Sequence, residues 1–279
     1  MDELRDRKHL IEWMTVSEVR AAMRRTKTII LPIGVVEQHG YHLPLNIDTY
    51  VGYVIARRAA VKAGCLVAPP LNYGYSGGEL PGTINVSPQV VSLMIMEILE
   101  SLSIQGFKTI IVHSWHGGTE HMQGVADACD MFQRRNPDKK DVTISLVMWK
   151  FIKNWSKHFK PLVETGDFHA GKYETSLGLA VYPEEIRHTY KIDSEGIATM
   201  LLTDQDAYQL KIKNVDSEYV VPKIRQHPKI NVGVFGNPKG ASAKIGNEIL
   251  DEFVENFALL IKEVEGKKPA KKVQKKSNK

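Results

Sequence analysis

Between positions 37 and 48 the chain places Glu37, His39, His42 and Asp48 directly behind the apolar, β-branched run at 29–33. Carboxylates and imidazoles gathered where a buried strand ends are the donor types of a divalent metal site. In extended backbone, residues i and i+2 project to the same side, so Glu37 and His39 can reach one ion while Gln38 points away. Asp48 can complete the set. A lone Glu-x-His is common in polar loops, but four potential ligands behind a core strand are costly to bury unless paired or coordinated.

A second run, 108–112, ends in His113-Ser114-Trp115-His116-Gly117-Gly118-Thr119-Glu120-His121, and a helical pattern follows over 119–135. Sites in open parallel α/β sheets form just outside the carboxyl ends of strands, so two donor-rich loops at two strand ends support each other. His116 is the candidate for the next ligand, and its paired glycines let a helix N-terminus approach an anion. His113 and His121 read as structural. A third polar cluster, His169-Ala170-Gly171-Lys172-Tyr173-Glu174-Thr175-Ser176, opens an apolar helix. Glu174 is there either a ligand or a carboxylate favoured by the helix dipole, and His169 either a proton donor or a loop histidine. The glycine-rich stretch 71–83 lacks phosphate-loop spacing and reads as either a surface connection or a substrate-facing loop.

These groups have to be positioned by an α/β scaffold. An amphipathic helix over 10–25 carries Leu10, Trp13, Met14, Val19 and Met23 on its inner face, and strand one spans 27–33. A helix over 49–63 ends at Gly64, and a second strand covers 65–70. Ser87-Pro88 supplies an N-cap and a first-turn proline for a helix to about 105. Strand four is expected over 142–149, then a Lys- and aromatic-containing stretch at 150–160 that serves as pocket wall or subunit contact. A long amphipathic helix closes the pattern over 241–264; between 183 and 230 no motif stands out. With 279 residues and 43% hydrophobic content, one domain over 1–266 is expected.

The formal charge of +5 resides in the tail: residues 267–279 hold seven lysines and no acids, and without them the body stands at −2. That tail reads as a disordered, solubilising extension, and the negative body disfavours nucleic acid as a partner. Cys65 and Cys129 form no Cys-x-x-Cys pair, residues 1–8 are too charged for a signal peptide, and no apolar run reaches bilayer length. A reducing, cytoplasmic setting without membrane association is expected.

Five motifs occur in order: Leu-Pro-Ile-Gly-Val-Val-Glu-Gln-His-Gly-Tyr-His-Leu-Pro-Leu-Asn-Ile-Asp at 31–48, Pro-Gly-Thr at 81–83, His-Gly-Gly at 116–118, His-Ala-Gly-Lys-Tyr-Glu-Thr-Ser at 169–176 and Gly-Val-Phe-Gly-Asn-Pro at 233–238. Together they make the chain resemble the creatininase (creatinine amidohydrolase) family. The resemblance implies a single-domain, three-layer α/β fold with a mostly parallel sheet flanked by helices. It also implies a hydrolase of small molecules with two divalent metal ions per subunit (Zn, Mn or Fe), assembled as a homo-oligomer, often a hexamer. On this chain it makes Glu37, His39, Asp48 and His116 ligands, with Asp48 bridging. It places Glu174 at the site, as ligand or catalytic carboxylate, and His169 beside the substrate as proton donor.

Members that hydrolyse creatinine carry His-Tyr-Glu where this chain has His116-Gly117-Gly118, and Trp-Asp near Thr165 and Gly166. The expected substrate is therefore a small cyclic amide or formamide rather than creatinine itself. Trp115 stands where many relatives have glycine and is expected to shape the pocket. Attack of hydroxide on a carbonyl also begins the ring opening of a cyclic polyol ketone such as a dehydro-inosose, which is the alternative. A catalytically silent metal-binding assembly subunit is the third reading.

Overall fold

The computed structural model describes residues 7–148, 157–194, 196–197, 199–200 and 204–266; the lysine-rich tail and most of the stretch at 150–160 lie outside them. The chain enters through a 3-10 turn, Ile11–Trp13, and then helix α1 (Val16–Met23), which Thr15 and Glu18 start with a reciprocal capping box. That cap breaks the single helix expected over 10–25. Leu10 and Met23 are buried as their spacing predicts, but Trp13, ahead of the break, is turned outward and 61% exposed.

Strand β1 (Thr28–Ile33), helix α2 (Ile47–Ala63), strand β2 (Leu66–Val67), helix α3 (Pro88–Ile104), strand β3 (Thr109–Ser114), helix α4 (Thr119–Arg135) and strand β4 (Thr143–Met148) follow. The four strands make one parallel sheet in the order β2-β1-β3-β4. β1 is buried along its whole length, Ile30 facing one core and Ile29, Leu31 and Ile33 the other, as a strand covered on both faces requires. β2 is shorter than the expected 65–70. Its ladder ends after the Ala68 N–H reaches the Ile30 carbonyl, because Pro69 and Pro70 have no N–H to donate.

Helices α5 (Phe159–Glu164), α6 (Lys172–Val181) and α7 (Ala243–Val264) join α2 over one face of the sheet. Val51, Ile55, Phe159, Leu177, Phe253 and Phe257 fill that core. α1, α3 and α4 cover the opposite face through Met23, Val91, Ile95, Leu99, Val125 and Phe132. The result is three layers, as expected from alternating strands and helices. Among the described residues no helix is long and apolar enough to cross a membrane.

The region 183–230, where the sequence shows no motif, holds an antiparallel ribbon of β5 (Gln209–Ile212) and β6 (Lys223–Gln226). Upstream of it, the buried Asp193 carboxylate accepts the N–H groups of Asn231, Val232, Gly233 and Val234 at 2.6–3.0 Å. This clasp pins the backbone just before Phe235, whose main chain pairs with His169.

Candidate metal centre

The centre forms where β1 and β3 end. Gly34, the first residue past β1, lies against the start of α2: a Cβ there would meet Thr49 Oγ1 at 2.4 Å and Thr49 backbone atoms at 2.5 Å. Close approach is thus possible only for glycine. α2 begins at Ile47, two positions before the expected start, so Asp48 occupies its first turn, where the helix dipole favours a carboxylate. Gly34→Ala is expected to push this turn off the strand end, costing about 1–3 kcal/mol by overpacking. The melting midpoint should fall by roughly 3–10 °C. A calorimetric scan checks it, and an unchanged midpoint contradicts the tight packing.

Each of the other donors is held by a specific neighbour. Ser76 donates its hydroxyl to Glu37 Oε1 at 2.8 Å, and Asn85 Oδ1 folds the glycine-rich loop into that position by accepting the N–H groups of Ser76 and Gly77. The loop is therefore a bracket for Glu37. His39 Nδ1 donates to the Glu37 carbonyl at 3.1 Å, which turns Nε2 toward the carboxylates. Glu174, in the first turn of α6, accepts the Tyr173 hydroxyl on Oε1 at 2.9 Å and the Ala170 N–H on Oε2 at 2.5 Å.

Asp48 lies between two donor groups and turns one oxygen to each. Its Oδ2 is 3.0 Å from His116 Nδ1, which is also 3.1 Å from Glu37 Oε2. Its Oδ1 is 3.6 Å from His39 Nε2, which is equally 3.6 Å from Glu174 Oε2. Glu37, Asp48 and His116 form one group with ligand atoms within 4.8 Å of one another, and His39, Asp48 and Glu174 a second. Glu37, His39 and His169 form a third group of the same span.

This arrangement fits divalent cations. His39 Nε2 is buried, faces the cluster and makes no hydrogen bond, its carboxylate neighbours lying at 3.6 Å. Buried polar atoms are normally satisfied, and mixed oxygen and nitrogen donors suit Zn or Mn. The charges point the same way. Burial works against ionising Glu37, but His116, His169 and His39 hold its carboxyl down at about 2. Burial likewise opposes the Asp48 charge, which His39 and His116 nevertheless keep far below the usual carboxylate range. Burial disfavours the imidazolium of His39, yet Asp48, Glu174 and Glu37 raise it to about 10. Glu37 and Asp48 raise His116 to about 10 against the same penalty. Protons thus compensate the carboxylates where cations otherwise would.

His169 lies at the edge of the cluster, its ring 4.2 Å from His39 and 5.2 Å from Phe235, and its Nε2 donates to the Gln38 carbonyl at 2.7 Å. His42, the fourth donor of the opening loop, belongs to none of the three groups. Burial pushes its imidazole down to about 4. Burial lowers His113 and His121 to about 4 and about 3, and their rings rest on Phe257 and His116. The expectation for Trp115 is corrected. Its ring lies in the core, edge-on to Phe253 at 5.5 Å. Ser76, Asn85 and Tyr173 escaped the sequence reading, since a single hydroxyl or amide in a loop or core helix carries no pattern.

A family model described as creatinine amidohydrolase matches residues 12–261. Creatinine amidohydrolase of Pseudomonas putida is 29% identical over 173 residues, 56% of this chain, and the match spans 65% of that protein, just under two thirds of its length. The mycofactocin precursor peptide peptidase of Mycolicibacterium smegmatis is 28% identical over 246 residues, 84% of each chain. A solved structure of a manganese form of creatininase superposes with a TM-score of 0.73 over 91% of this chain and 98% of that one. At 22% identity this likeness shows the fold.

Proposed function

Since the chain belongs to the creatinine amidohydrolase family, we propose that it is a metal-dependent hydrolase cleaving the carbon–nitrogen bond of a small amide at the Asp48 cluster. The observation that carries this reading is the pair of donor groups sharing Asp48, each oxygen of which faces a different histidine. Divalent ions bound there would lower the pKa of a water and polarise a substrate carbonyl. Glu37 and His116 would hold one ion with Asp48, and His39 and Glu174 the other. His169, at the edge of the cluster and only half buried, would give a proton to the leaving nitrogen.

Two of the relatives support an amide substrate, because amidohydrolase and peptidase both name cleavage of carbon–nitrogen bonds, while a related 3-dehydro-scyllo-inosose hydrolase supports the ring-opening alternative. Gly118 speaks against creatinine. A Cβ at this position would come within 2.6 Å of His116 Nε2, so a glutamate in the manner of creatinine-hydrolysing members would require this imidazole to turn aside. Glu174 supplies the carboxylate from another element instead. The test is a screen of metal-loaded protein against cyclic amides, formamides, short peptides and inososes. Turnover of an amide that chelator abolishes is the expected result; turnover of inososes alone would replace this reading with carbon–carbon ring opening.

Metal loading should be coupled to proton release. With His39 and His116 raised to about 10, the metal-free site carries imidazolium at neutral pH, and each must deprotonate to coordinate. Below pH 10 protons compete, so apparent affinity should climb between pH 6 and pH 9 and about two protons should appear per fully loaded chain. Titration of Mn²⁺ into weakly buffered, metal-free protein with an indicator dye measures this. Affinity independent of pH would show that the histidines do not ligate.

A further inference from the structure

We infer that His42 is a positioning residue for the Glu174 half of the metal centre, acting through the peptide of Ala170. The inference rests on the two-ion reading above and adds a residue that contacts neither donor group directly. Ala170 has φ +52°, the one left-handed residue other than glycine among those described. That conformation brings the Cβ of an L-residue too close to its own backbone, so the surroundings must hold it. They do so from both sides. His42 Nε2 donates to the Ala170 carbonyl at 3.1 Å, with Thr175 Oγ1 at 3.0 Å sharing the same N–H, while the Ala170 N–H donates to Glu174 Oε2 at 2.5 Å.

The consequence for the site follows from which atoms are engaged. Glu174 Oε2, the oxygen fixed by Ala170, is the one that faces His39 Nε2 at 3.6 Å. Tyr173 holds only Oε1. Both His42 and Ala170 are fully buried, so bulk solvent does not supply a donor in place of the imidazole. Without that donor the Ala170 carbonyl is left buried and unsatisfied, the turn relaxes, and its N–H no longer aims Oε2 at the cluster. The Glu37, Asp48 and His116 group includes none of these atoms, so its ion should be unaffected.

The test compares His42→Gln, whose amide N–H lies near the place of Nε2, with His42→Asn, whose amide is too short to reach Ala170, and with His42→Phe, which keeps the packing against Tyr190. Each is purified, checked for wild-type circular dichroism, and titrated with Mn²⁺ while electron paramagnetic resonance distinguishes paired from isolated ions. Wild type and His42→Gln should show two coupled ions. His42→Asn and His42→Phe should bind one ion unchanged and the second about 10–100-fold more weakly, the usual effect of losing an outer partner. Should the phenylalanine variant not fold, the asparagine and glutamine pair still decides. Two tight, coupled ions in all folded variants, or equal loss in Gln and Asn, would overturn the role of His42. A single ion in the wild type would instead remove the two-ion reading on which it stands.

Discussion

Asp48→Asn should leave a folded protein that binds at least one ion fewer than wild type and hydrolyses its substrate at least ~10³-fold more slowly, a loss of about 4 kcal/mol in transition-state stabilisation. The substitution conserves shape and removes the charge. Because Asp48 supplies one oxygen to each carboxylate-rich group, its loss leaves each prospective ion with two protein ligands. The metal-free fold should tolerate the change, since His39 and His116 owe much of their raised pKa to this carboxylate and can turn neutral when it goes. Metal analysis and kinetics on the same preparation check both arms. Wild-type metal content together with a wild-type rate would eliminate Asp48 as the bridge.

His169→Asn should behave differently, keeping both ions while the rate falls by roughly 10²- to 10⁴-fold, the range for a lost general acid or base. The donor groups built on Asp48 contain no atom of His169, whereas its ring lies against His39 and its Nε2 proton is committed to the Gln38 carbonyl. Its other nitrogen, Nδ1, remains to exchange a proton at the site. The third donor group, Glu37, His39 and His169, defines the competing outcome. If this histidine ligates, metal will leave along with activity, and the split between metal content and rate decides between the two roles.

Much of this centre was legible because strand ends are marked twice, by the stop of an apolar run and by the polar residues behind it. Glu37, His39 and His116 lie, as their places behind two parallel strands led one to expect, at one edge of the sheet, and Asp48 and Glu174 come from the helices that follow such loops. Trp115 was misplaced because a loop residue has no periodicity to say which side it takes. Packing in the core against Phe253 sets the place of its ring. Trp13 failed for a related reason, since helical spacing was carried across Thr15, whose side chain starts a new helix. The brackets were beyond reach altogether. Asp193 clasping 231–234 and His42 supporting Ala170 are contacts between segments distant in sequence, Asn85 folds the glycine-rich loop from just beyond it, and each rests on a single side chain.

The most direct measurement of the central claim is a diffraction experiment on Mn²⁺-loaded protein with anomalous data collected for the metal. Two peaks roughly 3.5–4 Å apart, one beside Glu37 and His116 and the other beside His39 and Glu174, with an Asp48 oxygen toward each, are the predicted result. A single peak, or a pair in which Asp48 touches neither ion, would contradict the account.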